Sequence, residues 1–328
     1  MRKKTIISII ACIAIFSMPA YSVMKKTAQS GLQILKIDVG ARPAAMGGAY
    51  SMVGNDALAM FYNPAGVAEI QANVDFFATQ TKWIADIPYV AAGVVKNFGN
   101  LGNLGINIIA ADYGDIMGTE VDPNSAAGYI ETGNLDVNAY VIGLTYARSL
   151  TNKFKVGGQI KYASQHLGEN VLSAEETVQN EVSGLAFDFG TIYYPGFKSL
   201  QFGMSIRNFS QQFRFVDKAF QLPLTFSIGA AINMMDFIDN DGSNSLLLAV
   251  DALHPNDYTE RLHIGLEYSF HNMFFVRGGY KTNHDIEGLS AGFGVEKSIN
   301  GLGLRFGYSY SSIDVFDPVS RFSLGMTF

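Results

Sequence analysis

The chain has 328 residues, of which 48% are hydrophobic, 12% aromatic and only 16% charged, with a formal net charge of −6. Soluble domains carry about 25% charged residues, so this surface is too apolar for one of them, and the acidic balance excludes a nucleic-acid binder. Beyond residue 22 no segment is apolar for the ~20 residues a membrane helix needs; apolar content spread over short alternating segments points instead to a transmembrane β-barrel.

The amino terminus reads as a secretory signal. Arg2, Lys3 and Lys4 form a basic region, Ile6 to Phe16 an apolar one, and Pro19-Ala20-Tyr21-Ser22 places small residues for cleavage after Ser22. Loss of those three cations takes the net charge from −6 to −9. Cys12, the single cysteine, lies within this segment, so the mature chain has no disulfide and no thiol chemistry. The expected organisation is a signal over 1–22, an extension and hatch over 23–71, and a barrel over 72–328.

Between Gly31 and Ile70 the pattern is not β. Pro43 suits the first turn of a short helix through Met46, Gly47-Gly48 breaks it, Asp56 caps a second short helix through Phe61, and Asn63-Pro64-Ala65-Gly66 stops that one. A compact run of small residues such as this suits filling a space. Beyond Gln71, fourteen segments alternate: Asn73 to Ile84, Pro88 to Phe98, Leu104 to Ala111, Val137 to Leu150, Phe154 to Gln165, Gly184 to Tyr194 and Leu200 to Asn208 form the first half. Leu222 to Asn233, Leu246 to Leu253, Leu262 to Phe270, Phe274 to Lys281, Leu289 to Lys297, Leu302 to Ser311 and Arg321 to Phe328 complete the set. Short turns alternate with longer loops, as periplasmic turns alternate with extracellular loops in bacterial barrels, and both chain ends then fall on the periplasmic side.

Alternation also assigns faces. Leu302, Leu304, Phe306, Tyr308 and Tyr310 face lipid, and Gly303, Arg305, Gly307 and Ser309 the lumen. The lumen then holds Lys155, Lys161, Asp188, Arg207, Asp251, His263, Glu267, Arg277, Glu296 and Arg305, a mixture of signs that suits a paired or plugged interior. Inward Gly203, Gly229, Gly265, Gly292 and Gly307 leave room for a second backbone, with the amino-terminal segment as the candidate. Phe322, Leu324, Met326 and Phe328 alternate with polar residues up to the aromatic terminus, the pattern of a closing strand that carries the barrel-assembly signal.

The segment Val39-Gly40-Ala41-Arg42-Pro43-Ala44-Ala45-Met46-Gly47-Gly48-Ala49-Tyr50, continued by Asn55-Asp56-Ala57-Leu58-Ala59 and Tyr62-Asn63-Pro64-Ala65-Gly66, resembles the PorV/PorQ family of FadL-like outer-membrane barrels. The resemblance implies a fourteen-stranded barrel with a hatch in its lumen, to which Gly47, Gly48, Asn63, Pro64, Ala65 and Gly66 belong. It also implies work in type IX secretion: binding translocated cargo, associating with a very large translocon barrel and passing cargo to a surface attachment complex. FadL-like proteins instead pass hydrophobic small molecules through the hatch and out sideways, which is the alternative reading. Expected partners are outer-membrane lipid and secretion proteins, with a hydrophobic small molecule under the alternative. No cofactor is expected.

Enzyme chemistry finds little support. Gly288-Leu289-Ser290-Ala291-Gly292 matches a nucleophile elbow, but the serine sits in a glycine-rich alternating strand and not at a strand-to-helix turn. His166, His254, His263, His271 and His284 show no metal-ligand spacing. Asp239-Asn240-Asp241-Gly242 reads as a solvated turn, because Phe237 and Leu248 occupy the first and last positions of a calcium-loop register. Trp83, with Ile84 and Ile87 at the first outer turn, is a candidate partner-binding tip, membrane anchoring being the competing role.

Overall fold

The structure is a computed structural model that describes residues 30–173, 176–215, 218–238 and 242–328. The signal segment, residues 23–29 and the acidic turn at 239–241 lie outside the described residues. In chain order the strands are β1 (Val74–Lys82), β2 (Pro88–Asn97), β3 (Asn103–Asp112), β4 (Ile116–Val121), β5 (Tyr129–Leu135), β6 (Val137–Ser149), β7 (Phe154–Ser173), β8 (Glu176–Tyr193) and β9 (Gln201–Ser210). They continue as β10 (Phe213–Phe215), β11 (Lys218–Phe220), β12 (Thr225–Asn233), β13 (Ser245–Pro255), β14 (Arg261–Phe270), β15 (Phe274–Lys281), β16 (Glu287–Ile299), β17 (Leu302–Ile313) and β18 (Val319–Thr327).

Fourteen of these, all but the hairpins β4–β5 and β10–β11, close into one antiparallel barrel. Closure is what lipid requires, because an open sheet edge would leave backbone amides and carbonyls without partners in hydrocarbon. The seam is β1 against β18, in register from Asp75 opposite Thr327 to Lys82 opposite Ser320. One residue further, Phe328 and Val74 exchange backbone hydrogen bonds of 2.8 and 3.0 Å. Outward side chains such as Ile106, Leu144, Phe293, Phe306 and Phe322 are exposed for lipid, whereas inward Ser309 and Arg321 are fully buried.

The barrel strands lie where the alternation puts them; three additions lie outside the bilayer. Strands β7 and β8 run about twice the 9–11 residues a membrane strand needs and project beyond it as a long arm. Hairpins β4–β5 and β10–β11 occupy loops that the sequence shows as irregular. Beyond the hydrocarbon layer no lipid face is imposed, so no period of two marks them, although Phe213 of β10 is buried against Gly184 of β8.

Residues 30–71 pass through the lumen with little helix: α1 (Ala41–Ala45) and single 3₁₀ turns at Gln33–Lys36, Ala57–Phe61 and Pro64–Glu69. The segment starts at the long-loop end, where Ser30 bridges Gln221 and Lys36 pairs with Asp257, and leaves at the short-turn end, where Glu69 meets Lys155. Asp56 caps the Ala57–Phe61 turn by accepting from the Leu58 amide at 3.1 Å. Asn63-Pro64-Ala65-Gly66 does more than stop that turn. Asn63 accepts from the Ala65 amide at 3.1 Å and opens the next one, with Pro64 at its first position.

Candidate functional site: a seated hatch beneath an outer cavity

Helix α1 ends in a left-handed turn that only glycine takes cheaply. Gly47 and Gly48 have φ of 63° and 73°, and the Gly48 amide returns to the Pro43 carbonyl at 2.9 Å. This turn lies directly on the wall, where a Cβ on Gly279 would fall 2.0 Å from the Gly47 nitrogen. Around the barrel the same fit recurs: Gly203 and Gly229 face Met52, Gly265 faces Met46, Gly292 faces Ala45 and Gly307 faces Ala41. A Cβ on Gly157 would meet the Pro64 and Ala65 backbone at 2.4–2.5 Å, and one on Gly190 would meet the Asn63 side chain. At Gly279, Gly265 and Gly157 the hatch backbone therefore packs on wall backbone, and at the other glycines a hatch side chain takes the space a wall side chain would fill.

Polar groups complete the seat. Asn63 Nδ2 donates to the Thr191 carbonyl at 3.2 Å, Ser205 Oγ to the Tyr62 carbonyl at 3.0 Å, and the Ser51 amide to Asp251 at 2.8 Å. Ser290 Oγ donates to the Ala45 carbonyl at 3.1 Å from within β16, so this serine holds the hatch and occupies no elbow. Glu267 lies between Arg42 at 2.7 Å and Arg277 at 2.5 Å. Arg305 reaches Asp75 at 2.7 Å and Asp56 at 3.9 Å, Lys161 reaches Asp188 at 2.7 Å, and Arg207 donates to the Phe61 carbonyl at 2.9 Å. Glu296 lines a small cavity with Arg42 and Arg305 at the short-turn end. Mixed charge in the lumen thus pairs wall with wall, as in Lys161–Asp188 and Arg305–Asp75, and wall with hatch, as in Glu267–Arg42 and Arg305–Asp56, since charges removed from water persist only where paired.

Outward of the hatch is a cavity of about 500 Å³. Its lining mixes apolar Phe61, Trp83, Ile87, Ile109, Val141 and Leu253 with charged Asp38, Lys161, Asp188, Arg207, Lys281 and Glu287 and with His284. The Trp83 ring turns inward, 5.8 Å from the buried Arg321 guanidinium, while Ile84 sits in the adjoining 3₁₀ turn. Asp38 is a hatch contact that spacing did not reveal: it pairs with Lys281 at 2.7 Å, which also meets Glu287 at 3.0 Å. His263 and His284, 21 residues apart, meet at 3.0 Å, and His284 reaches Glu287 at 3.1 Å. Burial holds the His284 imidazole below its usual pKa, with nearby Lys281 and Arg261 acting in the same direction and Glu287 opposing. Among the described residues no group of three or more metal-ligating side chains is found.

A closed fourteen-stranded barrel, apolar outside and plugged within, defines a bacterial outer-membrane protein of the FadL-like fold. The family model described as type IX secretion system membrane protein PorP/SprF matches residues 104–313, and the chain belongs to that family. Segment 39–66, which carries the PorV/PorQ resemblance, lies outside the matched residues. The fold is similar to that of the toluene transporter TbuX of Ralstonia pickettii, at 15% identity, 88% of this chain, 97% of that chain and a TM-score of 0.53. A FadL homologue of Pseudomonas aeruginosa is similar at 12% identity, 88% and 98% coverage and a TM-score of 0.55. The Pseudomonas putida toluene transporter TodX is similar at 12% identity, 88% and 96% coverage and a TM-score of 0.52. No protein of curated function matches the sequence.

Proposed function

We propose that this protein is a non-conducting outer-membrane component of type IX secretion that works, as PorV-like proteins do, by binding translocon or cargo proteins at its outer face. The observation that carries the reading is the seated hatch: hatch backbone and small or flexible side chains lie on inward glycines, and Arg42 with Glu267, Asp38 with Lys281 and Asp56 with Arg305 pair across the contact. Opening such a plug would separate ion pairs, and each charge left buried in the wall without its partner costs about 3–5 kcal/mol. The outer end, by contrast, carries the β7–β8 arm and two hairpins, which offer protein-sized surface. Membership of a secretion family agrees with this role. The test is gene deletion with complementation. Loss of surface and secreted proteins, with unchanged uptake of toluene and fatty acid, is the expected outcome; normal secretion with impaired uptake overturns the proposal.

A second reading, entry of a hydrophobic small molecule, is favoured by the apolar part of the outer cavity's lining, to which Trp83 and Ile87 contribute. The cavity falls within the 300–1,000 Å³ typical of ligand sites. Trp83 is the single tryptophan, so its emission reports directly on anything that enters.

A further inference from the structure

Hairpin β4–β5 stands apart from the barrel. It pairs only with itself, from Ile116 opposite Leu135 to Val121 opposite Tyr129, with a register shift between Gly118 and Thr119. Gly118 is its one buried residue, whereas, Leu135 apart, exposure of its large apolar side chains runs from 40% at Ile116 to 81% at Val121, with Met117, Tyr129 and Ile130 between. It touches the β7 arm where Leu135 packs on Gly168. The β4 edge remains without a neighbouring strand among the described residues. An isolated two-stranded hairpin is marginal in water, and an open edge bordered by apolar side chains is a template for another strand.

Its charge is one-sided. Asp115, Glu120, Asp122, Glu131 and Asp136 lie on or beside the hairpin, and the sequence contains no lysine or arginine between Lys96 and Arg148. Asp115 accepts from Asn134 at 2.9 Å and Asp122 from the Asn124 amide at 2.9 Å; among the described residues no cation pairs with any of the five. Edge strands are ordinarily protected by lysine, which is missing here. Two copies aligned edge to edge would oppose carboxylate to carboxylate, which disfavours self-pairing.

We propose that β4–β5 is a docking element for an extended segment of a partner protein in which lysine or arginine alternates with apolar residues, added as a strand along β4. This rests on the protein-binding reading and names the chemistry of the partner. Backbone hydrogen bonds along β4 supply the affinity, and opposite charge beside Asp115, Glu120 and Asp122 supplies selection and orientation.

The test uses the full chain in zwitterionic nanodiscs and a fluorescent peptide of alternating lysine and valine. Saturable binding is expected, weakened at least about tenfold by high salt and by the double variant Asp115→Lys, Glu120→Lys, and abolished when a central residue of the peptide is proline. Absence of binding, or equal binding to the charge-reversed variant, overturns the inference. In cells, residues 116–135 are replaced by a short glycine-serine turn and barrel assembly is checked by heat-dependent gel mobility. Lost secretion with an intact barrel is expected. Normal secretion in this variant overturns the docking role while leaving the secretion reading in place; normal secretion in the complete gene deletion overturns the secretion reading itself.

Discussion

Adjacent glycines on β15 provide an internal control for the seating of the hatch. Gly279 faces the lumen, and a Cβ there would lie 2.0 Å from the Gly47 nitrogen and 2.2 Å from the Met46 carbonyl carbon; Gly278 faces outward, with nothing within 4 Å. Neither has a positive φ, so alanine is conformationally acceptable at both. In Gly279→Ala the hatch backbone must retreat by roughly 1.5 Å to restore van der Waals contact, and backbone cannot rotate aside as a side chain can. Overpacking of this kind costs about 1–3 kcal/mol, whereas Gly278→Ala should stay within about 0.5 kcal/mol of the parent. Urea unfolding in detergent measures the difference as a fall in midpoint without a change in slope. Hydrogen exchange should show the loss of protection concentrated at Met46 to Tyr50. Equal effects of the two substitutions would refute a hatch held by backbone contact.

Glu267→Gln leaves Arg42 and Arg277 without a counter-charge and should destabilise the protein by about 3–5 kcal/mol, read from the same unfolding curves. Trp83 emission should shift on addition of toluene or laurate if the outer cavity takes apolar ligands; an unchanged spectrum at saturating ligand removes the second reading. His284 has a folded-state pKa below its unfolded value, so its contribution is fully present above the usual histidine pKa near 6.5 and is lost as pH falls from there through the lower folded-state pKa. His284→Gln should therefore flatten the stability profile on the acid side of pH 6.5, and an unchanged profile counts against its burial.

The barrel itself was legible in the sequence. A strand in a bilayer has an apolar face toward lipid and a different face toward the lumen, so period-two alternation is imposed at every crossing from β1 to β18. Glycines on the inner register, Gly203, Gly229, Gly265, Gly292 and Gly307, revealed space, and the small residues of segment 39–66 suited filling it. What fills each space was not legible: that Gly279 receives Gly47, that Arg42 meets Glu267 across 225 positions, or that His263 and His284 touch. The first two pairings depend on the path of a segment with almost no regular structure, and the third on the course of the loop after β15; no periodicity encodes a path. Hairpins β4–β5 and β10–β11 escaped for a different reason: outside the bilayer no lipid face imposes a period of two, and the burial of Phe213 is set by its contact with β8. The solvent around each strand therefore fixed its pattern from sequence alone, while closure of the barrel decided which inward groups became partners.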